Sequence, residues 1–147
     1  MEIRHLQEKD MPRWVEIVKQ LSPQSSCGAL SDRSAWLDLT HLQKKAIFVA
    51  KLDGLIVGTA SVLIEDKINR GTNPANGRLY TVAHIEEVVV DEAYRGKDVG
   101  KELMEYCIGF AKLANAYKVI LDCEEKNVGF YERVGMKRYE VCMRIDV

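Results

Sequence analysis

HIEEVVVDEAYRGKDVGK, residues 84–101, decides how the rest of the chain is arranged. Its first half reads as a strand, because Ile85, Val88, Val89 and Val90 are β-branched and pack well on a pleated surface. Residues 91–95 turn the chain, and Gly96 and Gly100 lead into an amphipathic helix. A helix that begins in glycine-rich backbone leaves amide N–H groups unpaired and uncovered. Those groups and the helix dipole favour an anion, a phosphate or pyrophosphate above all. Glycine spacing alone equally fits an ordinary strand-to-helix turn.

The adjacent acids Glu86 and Glu87 are the unusual feature of the strand. Strict alternation sends neighbouring side chains to opposite faces, so both cannot easily avoid a packed face. A β-bulge resolves the conflict by re-aiming one side chain and freeing backbone groups.

Outward from this stretch, the chain alternates between strands and helices. Residues 2–6 suit a short strand. Asp10 is placed to cap a helix carrying Met11, Trp14, Val15, Val18 and Leu21 at helical spacing. Residues 22–30 form a polar loop, and Ser31 can cap a second helix reaching about Lys44. Residues 46–52 and 55–64 read as strands joined by an Asp53-Gly54 turn. Gly58 weakens the second of them and marks a close approach of other groups. Residues 69–78, NRGTNPANGR, form a loop, and residues 79–90 the third long strand. The helix after Gly100 turns Leu103, Met104, Cys107, Ile108, Ala111 and Ala114 toward the core. Residues 118–123, KVILDC, suit a buried central strand. Residues 127–134 form a short helix with Gly135 as its C-terminal cap. Residues 137–145 alternate, with Tyr139, Val141, Met143 and Ile145 on one face, and read as a last strand.

The 147 residues suit one domain, spanning 1–147. An apolar content of 47% and a charged content of 29% are those of a soluble globular protein. No apolar run is long enough to span a bilayer, and the first residues lack the apolar core of a secretory signal. The net charge of −1 supplies no global field for nucleic acid or anionic membrane. Cys27, Cys107, Cys123 and Cys142 form no C-x-x-C pair, and no zinc spacing is present. Reduced thiols, no metal and a cytoplasmic location are expected.

Three ordered motifs then point to a family. Arg95-Gly96-Lys97-Asp98-Val99-Gly100 resembles the acetyl-CoA loop of the GCN5-related N-acetyltransferases, whose pattern is Arg/Gln-x-x-Gly-x-Gly/Ala. Asp98 replaces the middle glycine. HIEEVVV before the loop and YKVILDCEEKNVGFYERVGM after it are similar to the branch of that family that acetylates glucosamine 6-phosphate. The resemblance covers about residues 56–143 and continues, more weakly, before them.

That resemblance implies an α/β (α+β) fold, a mixed central sheet of about six strands flanked by about four helices. It implies a bulge at the glutamates. Backbone at Val88, Val89 and Val90 would pair with the pantetheine arm, and Arg95, Gly96, Lys97, Asp98, Val99, Gly100, Lys101 and Asn127 would hold the rest of acetyl-CoA. Glu87 would orient the acceptor amine, and Tyr131 would protonate the departing thiolate. Acceptor contacts are implied at Ser22, Lys67, Arg70, Glu86, Glu87, Tyr117, Lys118 and Asp122. Phosphate contact falls to a C-terminal arginine supplied across a homodimer, with Arg144 the nearest candidate and Asp146 the other occupant of that register. Taken singly, Tyr131 fits core packing, and each lysine a solvated surface.

The expected activity is direct transfer of acetyl from acetyl-CoA to the amine of D-glucosamine 6-phosphate, a step toward UDP-N-acetylglucosamine. Transfer to a protein or another small amine keeps the same cofactor site. A non-catalytic acyl-CoA-binding module would need neither Tyr131 nor the glutamate pair.

Overall fold

In the computed structural model, the structure describes residues 1–23, 36, 37, 39, 41, 42 and 44–147. Five strands run in spatial order of sequence: β1 (Glu2–His5), β2 (Lys45–Leu52), β3 (Leu55–Asp66), β4 (Thr81–Val90) and β5 (Ala116–Ile120). The first four pair antiparallel, and β4 and β5 pair parallel. Three described helices accompany them: α1 (Met11–Leu21), α2 (Val99–Leu113) and α3 (Val128–Arg133). The second expected helix lies for the most part outside the described residues, though Trp36, Leu37 and Leu39 are helical. No described helix is long and apolar enough to cross a membrane.

The alternation of each strand sorts its side chains between two helix layers. Phe48, Ala50, Val57, Ala60, Val62, Ala83 and Ile85 face α2, where Val99, Leu103, Met104, Cys107 and Ala111 meet them. Val49, Ile56 and Val89 face α1 with Met11, Trp14, Val15 and Ile17. Trp14 Nε1 donates to Thr59 Oγ1 at 3.0 Å, and that hydroxyl donates to the Phe48 carbonyl at 2.7 Å. A buried indole and a buried hydroxyl are thus both satisfied, which fixes α1 on the sheet. Gly58 is the close approach expected from its place in β3: a Cβ there would stand 3.0 Å from Leu103 and 3.1 Å from Val99.

Four expectations are corrected. Residues 137–145 form no strand. Tyr139, Val141, Met143 and Ile145 are 85–87% exposed, and no strand among the described residues pairs with them. Among the described residues the sheet has five strands, where about six were expected. The strand expected at residues 118–123 spans Ala116–Ile120 and is the last strand of the sheet with half-buried residues, not a buried central one. Asp10 does not cap α1 with its side chain. It accepts the Gln7 N–H at 2.9 Å and a two-pronged pairing from Arg4 at 2.6 and 3.0 Å, a stronger use of a nearly buried carboxylate. Gly135 does end α3, with φ +89° and its N–H on the Glu132 carbonyl.

Candidate active site

β4 changes partner along its length, and the site begins there. On one side it pairs with β3 along its length, interrupted at residues 87 and 88. On the other, β5 pairs only with residues 81–84, so 85–90 have no strand beside them on that edge among the described residues. Asp91 N–H donates to the Val57 carbonyl. Alternation therefore turns the Val90 amide and carbonyl toward the open edge. There the Val90 carbonyl accepts Arg95 Nε at 3.2 Å. An extended arm laid in that gap would meet main chain that no strand pairs, with the Val90 carbonyl already taken by Arg95.

The expected bulge is present. Thr59 opposes Val89 and Ser61 opposes Glu86, so Glu87 and Val88 together face Ala60. Glu87 takes φ +54°, the left-handed region rarely adopted by L residues. This one irregularity puts both acids on the same sheet face. Ser61 Oγ donates to Glu87 Oε2 at 2.6 Å. Lys45 Nζ stands 2.8 Å from Glu86 Oε2 and 3.3 Å from Glu87 Oε2. Burial pulls the Lys45 ammonium down, but its hydrogen bond to Glu86 and the charge of Glu87 outweigh that, and it titrates above its ordinary value. Neither Lys45 nor Ser61 was expected. The only sequence signal was a polar residue at a face-matched position in an apolar strand.

The loop after β4 explains its own departure from the family pattern. Gly96 has φ +76° and Asp98 φ +58°. The position where the pattern carries glycine is thus left-handed, and aspartate is among the residues that tolerate it. The first bond of α2 runs from Glu102 N–H to the Asp98 carbonyl at 3.0 Å. The amides of Val99, Gly100 and Lys101 therefore have no partner within the helix. Lys97 lies over the Tyr94 ring at 4.9 Å, and Lys101 pairs with Glu105 at 3.9 Å. These donors suit a pyrophosphate.

Tyr131 lies on α3, half-buried against the main core. Burial, with the nearby Cys123 adding to it, pushes its hydroxyl above the ordinary tyrosine value. It stays a protonated phenol at neutral pH, as a proton donor must. Asn127 precedes the helix and is exposed.

The expected acceptor contacts separate into groups. The Arg70 guanidinium lies 4.3 Å from the Tyr117 ring centre and Lys118 Nζ 5.8 Å from it. Lys67 pairs with Glu65 at 2.6 Å, and its ammonium feels Tyr117. Three cations thus gather round one aromatic ring at the β4–β5 end of the sheet. Asp122 Oδ2 stands 3.3 Å from His84 Nε2, just beyond β5. Ser22 is exposed at the end of α1. Arg144 is not brought to the site within one chain. It is 81% exposed in the final segment and bonds Asp146 at 2.7 Å.

A family model for the Acetyltransferase (GNAT) family matches residues 3–136. The chain belongs to the GNAT acetyltransferase family. A glucosamine 6-phosphate N-acetyltransferase of Trypanosoma brucei brucei is 34% identical over 152 aligned residues, covering 100% of this chain and 96% of that one. The crystal structure of an Arabidopsis thaliana glucosamine-6-phosphate N-acetyltransferase superposes with a TM-score of 0.80 at 34% identity, covering 99% and 97% of the two chains. That of a Trypanosoma brucei acetyltransferase does so with a TM-score of 0.79 at 35% identity, covering 99% of each.

Proposed function

We propose that this enzyme transfers acetyl from acetyl-CoA to the amine of D-glucosamine 6-phosphate. The observation that carries the reading is the pairing of two unlike subsites on one sheet. Converging carboxylates at Glu86 and Glu87 suit an amine, and the Arg70–Lys118–Lys67 group round Tyr117 suits a phosphate. Relatives that are 34% identical and bear this activity in their names support it.

Acetyl-CoA supplies an activated acetyl group. The amides at the start of α2, with Gly96 and Lys97 ahead of them, would hold its pyrophosphate. Main chain at Val88, Val89 and Val90 would pair with its arm, and a freed N–H at the bulge would polarise the thioester carbonyl. Asn127 would steady the carrier beside Tyr131. Glu87 orients the amine and Tyr131 gives its proton to the departing sulfur. Attack is direct, with both substrates bound. Asp122 accepts from sugar hydroxyls, and Ser22 offers its own.

The enzyme acts as a cytoplasmic homodimer in this reading. The bare alternating segment at residues 137–145 would find its sheet on a second copy, which would bring Arg144 to the partner's phosphate subsite.

Thiol release from acetyl-CoA across an amine panel tests the proposal. Glucosamine 6-phosphate is expected to exceed glucosamine, polyamines and lysine peptides by at least a hundredfold in kcat/KM. Equal turnover of glucosamine and its phosphate overturns the acceptor assignment.

A further inference from the structure

We propose that Lys45 is a positioning residue for the transfer: it clamps Glu86 and Glu87 side by side and sets the charge that the acceptor amine meets. The inference rests on the reading of the glutamate pair as the amine subsite.

The geometry poses a problem that Lys45 solves. The bulge brings two carboxylates to one face, where Glu86 is half-buried and Glu87 exposed. Two carboxylates so close repel one another. They would also raise the pKa of a bound ammonium, which must lose its proton before it attacks. Lys45 Nζ reaches both, at 2.8 and 3.3 Å, while its own side chain is only 18% exposed. Its charge changes the cluster from −2 to −1. The pair still orients the amine, which sits in a weaker negative field and deprotonates more readily. Lys45 thus trades some attraction for the ammonium against the neutral form that reacts.

Among the described residues, the surroundings leave this role to Lys45. On β3 it faces apolar Leu63 and, further on, Ser61, which is neutral and already donates to Glu87. On β4 the other titratable group of this face is His84, beside Asp122. From β1, His5 lines the same shallow cleft as Lys45. Neighbouring Lys44 is engaged with Asp66, and Glu65 with Lys67.

Lys45→Met keeps the packing stem and removes the charge, and Lys45→Arg keeps the charge. The acid limb of the kcat profile is expected to move up by about one pH unit in Lys45→Met, close to a tenfold loss on that limb. Rates recover at high pH, the KM for the amino sugar does not rise, and Lys45→Arg restores the profile. A loss of the same size at every pH, or an unmoved limb, overturns the proposal.

Carboxylate carbon resonances of Glu86 and Glu87, titrated with no acceptor present, read the clamp separately. Lys45→Met should raise the pH at which the pair takes up its first proton. Unchanged titration overturns the clamp even where transfer survives. Wild-type enzyme that acetylates no amine overturns the acceptor reading, and this titration then decides the clamp alone.

Discussion

Phe130 closes over Gly100. A Cβ at Gly100 would stand 3.0 Å from Phe130 Cζ and 3.2 Å from Cε2. The start of α2, the proposed pyrophosphate site, is therefore packed against the helix that carries Tyr131. In the proposed mechanism one contact sets both the cofactor grip and the proton donor.

Gly100→Ala should accordingly disturb both at once. The ring must give by a few tenths of an ångström, and α3 moves with it. Turnover is expected to fall by roughly tenfold, since misplacement by about 1 Å costs on the order of a hundredfold. Gly100→Val should lose more. Circular dichroism and thiol-release kinetics together check this. An alanine variant with wild-type kcat and KM would show that the contact is not transmitted.

Tyr131→Phe removes the hydroxyl and keeps the ring's packing against Phe130, whose centroid lies 4.9 Å away. kcat should drop by about a hundredfold, within the usual range for a lost general acid, while the Kd for acetyl-CoA changes less than about twofold. In the wild type the raised pKa keeps this group from producing an alkaline fall in rate below about pH 10. Isothermal titration and a pH–rate profile separate the two effects.

Asp98 holds a left-handed backbone at the mouth of the proposed anion site. Asp98→Gly relieves a strain of roughly 1–2 kcal/mol at most and adds unfolded-state freedom of about 0.5–1 kcal/mol. Stability should stay within about 1 kcal/mol. Affinity for acetyl-CoA should rise several-fold, less so at high salt, because a negative charge leaves the phosphate site. Asp98→Val, β-branched at positive φ, should destabilise by about 1–2 kcal/mol. Thermal melts and titrations at two salt concentrations measure both.

Acid should unfold the protein partly through Asp10 and Asp91. Burial pushes Asp10 up, but the hydrogen bonds from Arg4 and the Gln7 N–H outweigh it, so its pKa is lowered. Asp91 is lowered by the Ala93 N–H first and by Arg13. Each folded pKa lies below the unfolded value of about 3.9. The stability they contribute is therefore full above that value and is lost as pH falls through the folded one. Denaturant melts between about pH 5 and pH 2 should show a positive slope of stability with pH. Asp10→Asn and Asp91→Asn should each flatten that slope.

Much of this was legible in the chain because local rules and tertiary context agreed. The β-branched residues of 79–90 and the helical spacing of Leu103, Met104, Cys107 and Ala111 gave β4 and α2 directly. The Glu86-Glu87 clash with alternation announced the bulge, since no regular strand can seat both acids on one face. Residues 137–145 were misread for the opposite reason. Their alternation is sound, but a strand needs a neighbour, and hydrogen-bonding partners are not written in a strand's own sequence. Lys45 and Ser61 escaped notice because their contacts reach across β3 to β4, a relation set by register. Asp10 was taken for a helix cap when the charge of Arg4 held the stronger claim.

The most direct measurement is the separation between the CoA sulfur and Tyr131 Oη in a crystal structure of the protein with CoA and glucosamine 6-phosphate. The account predicts hydrogen-bond distance, with the arm along residues 88–90 and the sugar amine beside Glu87. A sulfur well beyond reach of Tyr131, or an arm lying away from the open edge of β4, would contradict it.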